Sequence, residues 1–411
     1  MKNNIFKLKN FLFLFFVVFC IQYTELKIDV IKVSEIALLL LTPLLYLRKV
    51  NKWIFYFLFL FTLWFLLTII LNPFKDFYLL QQVSILKKSY LISLGRFLEL
   101  ISCVNLMALV YLFFENKTRL EINNYVKYIF NFCLLFLIIN VIIYYLYING
   151  IIKETRTVYW VDRLRAWFGE GGPFGLMLSF TYVLTFFYKS KYHLFIRIFI
   201  VYVIFFLARS KAGILLILFW YLILYYKRAY KILRELNIIV IIIGGFVISL
   251  IFIELASGYI YAIANVKKEM TERPTDINLV MGRIAGVFIF PEMIIDHPIF
   301  GIGLGNYPIM RNNPDYLGFI PKSPVGETDA HGFGGLVQLL VDGGLFIFGL
   351  FFFIIYKLYS KLKEKSNAMD TNFLIIFLFF FLMGVQIYFL YPWILMGIII
   401  ALSDKKVLDE E

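Results

Sequence analysis

Between Phe11 and Ser403 the sequence runs as a series of apolar blocks, most of them near the roughly 17–25 residues that carry a helix across a hydrocarbon core. Hydrophobic residues fill 62% of the 411 positions and charged ones only 16%, which excludes a soluble globular chain. The blocks predict an all-α, polytopic integral membrane protein of about twelve transmembrane helices. They fall at residues 10–22, 30–47, 53–71, 89–114, 127–147, 172–188, 194–207, 212–226, 237–255, 333–356, 372–390 and 391–403. The seventh and eighth, and the eleventh and twelfth, are short enough that each pair can be one re-entrant hairpin. Residues 1–255 thus form one helical segment, 256–332 one large extracytoplasmic loop, and 333–411 the C-terminal helices with a cytoplasmic tail.

The net charge of +13 does not mark a nucleic-acid surface, because the basic residues sit in short clusters between apolar blocks. Arg48/Lys49/Lys52, Lys227/Arg228/Lys231/Arg234 and Lys357/Lys361/Lys363/Lys365 fall on one side of the predicted path. By the positive-inside rule that side is cytoplasmic, both termini with it, and the long loop faces the opposite side. Cys20, Cys103 and Cys133 lie inside apolar blocks without metal-ligand spacing and read as buried small hydrophobes. The basic, apolar N-terminus lacks a small-x-small cleavage site and is expected to be a retained helix. Glu35, Arg96, Glu99 and Asp342 fall within spans and must turn to the protein interior or an interface.

Chemistry is expected in the polar interruption, which holds His297 and His331. Gly301-x-Gly303-x-Gly305 lacks the spacing and strand–helix context of a nucleotide fingerprint. It reads instead as a turn that brings backbone close to a ligand or a membrane helix. His297, before Pro298, suits a cap or turn and is a candidate substrate contact. His331 follows Glu327 and Asp329 where the chain re-enters the membrane, so its imidazole can take a proton or bind an anion there. No metal-ligand motif occurs, and neither metal nor cofactor is expected. Arg163, Arg165, Arg209 and Lys211 lie in short outward connections against the charge bias. They read either as interfacial anchors or as an anion site, since guanidinium forks bind phosphate in pairs of bonds.

Several runs carry a resemblance. Gly282-Arg283, then Asp296-His297-Pro298-Ile299-Phe300-Gly301-Ile302-Gly303-Leu304-Gly305-Asn306-Tyr307, then His331 and Gln338-Leu339-Leu340-Val341-Asp342-Gly343-Gly344 are similar to the O-antigen polymerase/ligase superfamily of bacterial inner-membrane glycan enzymes. The segment Arg163-Leu164-Arg165-Ala166-Trp167-Phe168-Gly169-Glu170-Gly171-Gly172-Pro173-Phe174-Gly175 resembles that family's arginine-bearing periplasmic stretch. The likeness covers roughly residues 150–350, and the N-terminal third only by hydropathy. Two features depart from it: Ser210-Lys211 stands where the family has serine-arginine, and Gly332 follows the histidine, with Gln338 seven positions on.

The resemblance implies metal- and nucleotide-independent, inverting glycosyl transfer from a polyprenyl-pyrophosphate-linked saccharide on the periplasmic face of the inner membrane. His331 would orient or deprotonate the acceptor hydroxyl, while Arg283 and Arg165 stabilise the leaving pyrophosphate. Arg163, Lys211, His297, Glu327 and Asp329 would contact substrate or orient the histidine. The expected partners are the lipid-linked donor, a glycan acceptor and membrane lipid. The scheme admits a chain-length regulator and involves no nucleic acid. A polymerase of repeat units leads; a ligase that moves the glycan to lipid A core or protein shares the same donor. A non-enzymatic transporter of the lipid-linked saccharide would want broken or charged helices and pseudo-symmetric halves.

Overall fold

The structure, a computed structural model, describes residues 8–28, 31–47, 50–77, 88–159, 162–235, 260–273, 282–322, 333–365 and 368–405, with single positions or short pieces between 246 and 258 and at 279. It is built of helices. Apolar side chains recur without a polar break, so each segment closes its own backbone hydrogen bonds, as a chain in hydrocarbon must.

In chain order come α1 (Leu8–Gln22), a two-residue ladder of β1 (Lys27–Ile28) and β2 (Ile31–Lys32), α2 (Val33–Tyr46), α3 (Lys52–Leu71), α4 (Ser89–Phe114) and α5 (Arg119–Ile148). A second ladder pairs β3 (Val158–Tyr159) with β4 (Arg163–Leu164). Then follow α6 (Gly171–Leu184), α7 (His193–Tyr202) with a π-helical turn at Val203–Leu207, and α8 (Lys211–Glu235). The polar stretch carries α9 (Val266–Glu272), α10 (Arg283–Asp296), α11 (Tyr307–Met310) and α12 (Pro314–Leu317). The last three are α13 (Gly335–Lys365), α14 (Ala368–Leu382) and α15 (Leu390–Ser403).

Among the described residues four helices are long and apolar enough to cross a membrane: Lys52–Phe74, Ser89–Phe114, Arg119–Ile148 and Gly335–Glu364. Helices stand at each expected span except 237–255, most of which lies outside the described residues. The boundaries differ most where polar residues extend or stop a helix: α8 runs on to Glu235 rather than 226, α13 to Lys365 rather than 356, and α5 begins at Arg119 rather than near 127. For α5, Thr118 and Glu121 form a reciprocal capping box, and that local chemistry starts the helix about two turns before the expected span.

The chain divides into two compact units. The first comprises Met1–Phe59, Leu98–Trp220 and Phe353–Glu411; the second comprises Leu60–Phe97 and Tyr221–Phe352. In the first, α15 is buried at all fourteen positions and packs with α14 and α1. It is apolar on every side because every side meets protein. Two buried ionic clusters belong to this unit. Arg119 grips Asp370 with both arms of its fork, at 2.8 and 2.9 Å. Lys32 lies between Glu35 and Glu99, at 2.8 and 2.9 Å. Glu35 thus faces inward as expected, and Glu99 binds a lysine from another element. All three cysteines are buried thiols.

The second unit contains the polar stretch, which proves to be a small helical assembly with an apolar core of its own. Val266, Met270, Ile289, Phe290, Met293, Ile302, Tyr307 and Val341 are among its buried members.

Candidate functional site

In the first unit the arginine-bearing segment is a braced loop. Nε and Nη2 of Arg163 donate to the carbonyl of Ala208, at 3.3 and 3.2 Å, and Nη2 also reaches the carbonyl of Arg209 at 3.3 Å. Arg165 closes its own loop, donating from Nε to the Arg156 carbonyl at 2.9 Å and from Nη1 to the Gly169 carbonyl at 3.0 Å. Neutral carbonyls orient a guanidinium without cancelling its charge. Arg163 therefore brings the β4 loop onto the residues leading into α8, where Arg209 takes a left-handed conformation at φ 50° and Lys211 opens the helix.

The residue between them, Ser210, is buried and structural. Its hydroxyl accepts from Gly213 N at 3.2 Å as an N-cap and donates to the Gly172 carbonyl at 3.0 Å. A Cβ on Gly175 would stand 2.1 Å from that of Ser210, and one on Gly213 would meet the Gly175 carbonyl at 2.8 Å. Of the Gly-Glu-Gly-Gly-Pro-Phe-Gly segment, Gly171 and Gly175 thus serve close packing, and the serine locks α6 to α8.

In the second unit the glycine-rich turn makes the close approach its sequence suggested, and it makes it to a broken helix. α13 is interrupted at Gly344, whose φ of 64° and ψ of −174° are not helical. The turn takes up the groups the break frees. Ile302 N and Gly303 N donate to the carbonyls of Val341 and Asp342, while Leu345 N and Phe346 N donate to those of Pro298 and Ile299, all at 2.8–3.0 Å. A side chain at Gly301 or Gly344 would collide with the opposing backbone at about 2.5 Å or less. Asp342 is fully buried, and its Oδ2 accepts from Gly305 N at 3.2 Å. Trp64 Nε1 reaches its carbonyl at 3.3 Å, and Thr68 and Asn72 bind Leu304 N and Asn306 Nδ2.

His297 ends α10. Its N–H donates to the Met293 carbonyl, its own carbonyl accepts from Gly301 N, and it is half-buried. Burial lowers its pKa, the nearby Lys75 lowers it further, and Asp296 opposes both. Lys75 donates to the Gly301 carbonyl at 3.2 Å, and burial pulls its ammonium down to about 8 against the pull of Asp342. Lys75 escaped the sequence reading, although the Asn72-Pro73 turn signal marks where its helix must stop. Arg311 is fully buried and binds Asn312 Oδ1 at 3.1 Å and the Pro321 carbonyl.

Arg283 opens α10, but its side chain is not among the described ones. Glu327, Asp329 and His331 lie outside the described residues. Of the expected site residues, then, Arg163 and Lys211 share one loop junction with Arg165 beside it in the first unit, and His297 belongs to the glycine turn of the second. Compared with known proteins, the chain matches no family model and no curated protein.

Proposed function

We propose that the chain is a membrane glycosyltransferase that joins polyprenyl-pyrophosphate-linked repeat units into O-antigen or a related surface polysaccharide. The observation that carries the reading is Arg163, a permanent cation held by neutral carbonyls beside Arg209 and Lys211 on an apolar scaffold. Such a braced fork is arranged before substrate arrives, which is what stabilises charge developing on a leaving pyrophosphate. In this scheme Arg165 and Arg283 share that task with Arg163 and Lys211. His331, oriented by Glu327 or Asp329, accepts the proton of the attacking hydroxyl as it displaces the pyrophosphate with inversion. His297 shapes the turn at the substrate's side. The chemistry calls for neither metal nor nucleotide. We place the active face outside the cytoplasmic membrane of a bacterium, with both termini inside.

Surface-glycan gels of a deletion strain complemented with wild type or His331→Ala test this, with insertion levels checked. Core carrying a single repeat unit is the expected pattern for the variant. No glycan on the core would assign the chain to the ligase reaction instead, and a wild-type ladder would remove His331 from the mechanism. The transporter reading has one observation behind it, the break in α13 beside buried Asp342. The glycine turn closes that break with protein backbone, which argues against its use as a permeation site.

A further inference from the structure

Gln338 stands in the first turn of α13 and is fully buried, yet neither its Nε2 nor its Oε1 has a hydrogen-bond partner among the described residues. Burying an amide with nothing to bond is unfavourable, and native structures keep few such groups without a reason. Gln338 lies one turn before Asp342, so the two share a helix face, and Asp342 uses that face to hold Gly305 of the glycine turn. The turn carries a second orphan. Asn306 is fully buried; its Nδ2 donates to Asn72 Oδ1 and the Ile302 carbonyl, and its Oδ1 accepts nothing.

We propose that Gln338 is a ligand contact that hydrogen-bonds the hydroxyls of a sugar ring at the N-terminal end of α13. The chemistry of the amide selects the ligand. It must both donate and accept; a sugar hydroxyl does both, whereas a phosphate oxygen only accepts and would leave Oε1 unsatisfied. The proposal rests on the glycosyl-transfer reading and assigns this end of the helix to the saccharide rather than to the pyrophosphate.

The test uses the purified full chain in detergent, with two probes: the oligosaccharide released by mild acid from the host's lipid-linked glycan, and inorganic pyrophosphate. Gln338→Leu and the better-matched Gln338→Met remove the amide. Each should raise the melting temperature of the ligand-free protein slightly, because an unsatisfied buried group is gone. Each should weaken oligosaccharide binding by about tenfold or more and leave pyrophosphate binding within about twofold. Unchanged oligosaccharide affinity in both variants overturns the proposal. So does a ligand-free melting temperature that falls in both, since the amide then serves the fold. No step of this assay needs polymerisation: binding that depends on Gln338, together with an unaltered glycan ladder in the deletion strain, would sink the polymerase reading and leave the sugar contact standing.

Discussion

Asp370 and Gln338 occupy matching places. Each is a fully buried polar side chain in the first turn of a helix, the one in α14 and the other in α13. Asp370 is met by both arms of Arg119, with short bonds to both carboxylate oxygens. Among the described residues nothing hydrogen-bonds to either polar atom of Gln338. Lys32 is matched in the same way as Asp370, between two glutamates. Other buried side chains, Ser34, Trp220 and Tyr391 among them, leave one polar atom unmatched; among the described residues Gln338 alone leaves both a donor and an acceptor open, and that pair points to something that arrives from outside.

The comparison can be broken most forcefully at the paired group. Arg119→Met should cost about 3–5 kcal/mol of stability, because the carboxylate stays buried after its fork is gone. The double variant Arg119→Met/Asp370→Leu should recover most of that loss, and denaturation in detergent of the two variants measures the difference. If the single change costs nothing, buried pairing here is decorative and the contrast with Gln338 loses its meaning. Gly344→Ala comes next. Its Cβ would meet the Ile299 carbonyl at 2.4 Å in a left-handed conformation, so about 2 kcal/mol or more should be lost by the same assay. A neutral result would mean that the turn and the break are not locked together.

The smallest effect concerns Lys75, which sharpens the comparison because its hydrogen bond to a neutral carbonyl leaves the ammonium only partly compensated. Its folded pKa of about 8 lies below its ordinary 10.5, so the unfolded chain binds the proton more tightly. The penalty is complete at and below about pH 8, shrinks as the pH rises from 8 to 10.5, and is absent above that. Lys75→Met should therefore melt a few degrees above wild type at pH 7, with the gap closing toward pH 10. The same change should raise the pKa of His297 toward its ordinary value, since Lys75 is one of the two influences lowering it. Proton NMR of the imidazole reads that shift directly.

Much of the helical fold was legible, because hydrocarbon-length apolar runs leave a backbone few other solutions; α4 falls on its expected residues. The start of α5 was missed because Arg119, Glu121 and Asn123 resemble a polar linker, though Thr118 and Glu121 spelled the cap. The interruption of α13 was missed because Leu345 and Phe346 continue the apolar run across Gly343-Gly344. For the site, the close approach of Gly301-x-Gly303-x-Gly305 could be foreseen from the lack of side chains. Its partner, some forty residues on, could not, because backbone pairing leaves no mark on residue type. The same reason hid the acceptors of Arg163 and Arg165: every residue has a carbonyl, so no spacing announces which will be used.

The fully buried α15 bears on how the molecule can be made. At fourteen residues it is about 21 Å long, short of the roughly 30 Å of a hydrocarbon core, and it touches protein at every position. It is also the last helix of its unit in chain order among the described residues. Until α15 has been made, α1 and α14 lack the helix against which both pack, with Trp393 at its buried centre. A nonsense codon before Leu390 would therefore release a chain lacking the middle of its first unit rather than a peripheral tail, a substrate for membrane quality-control proteases.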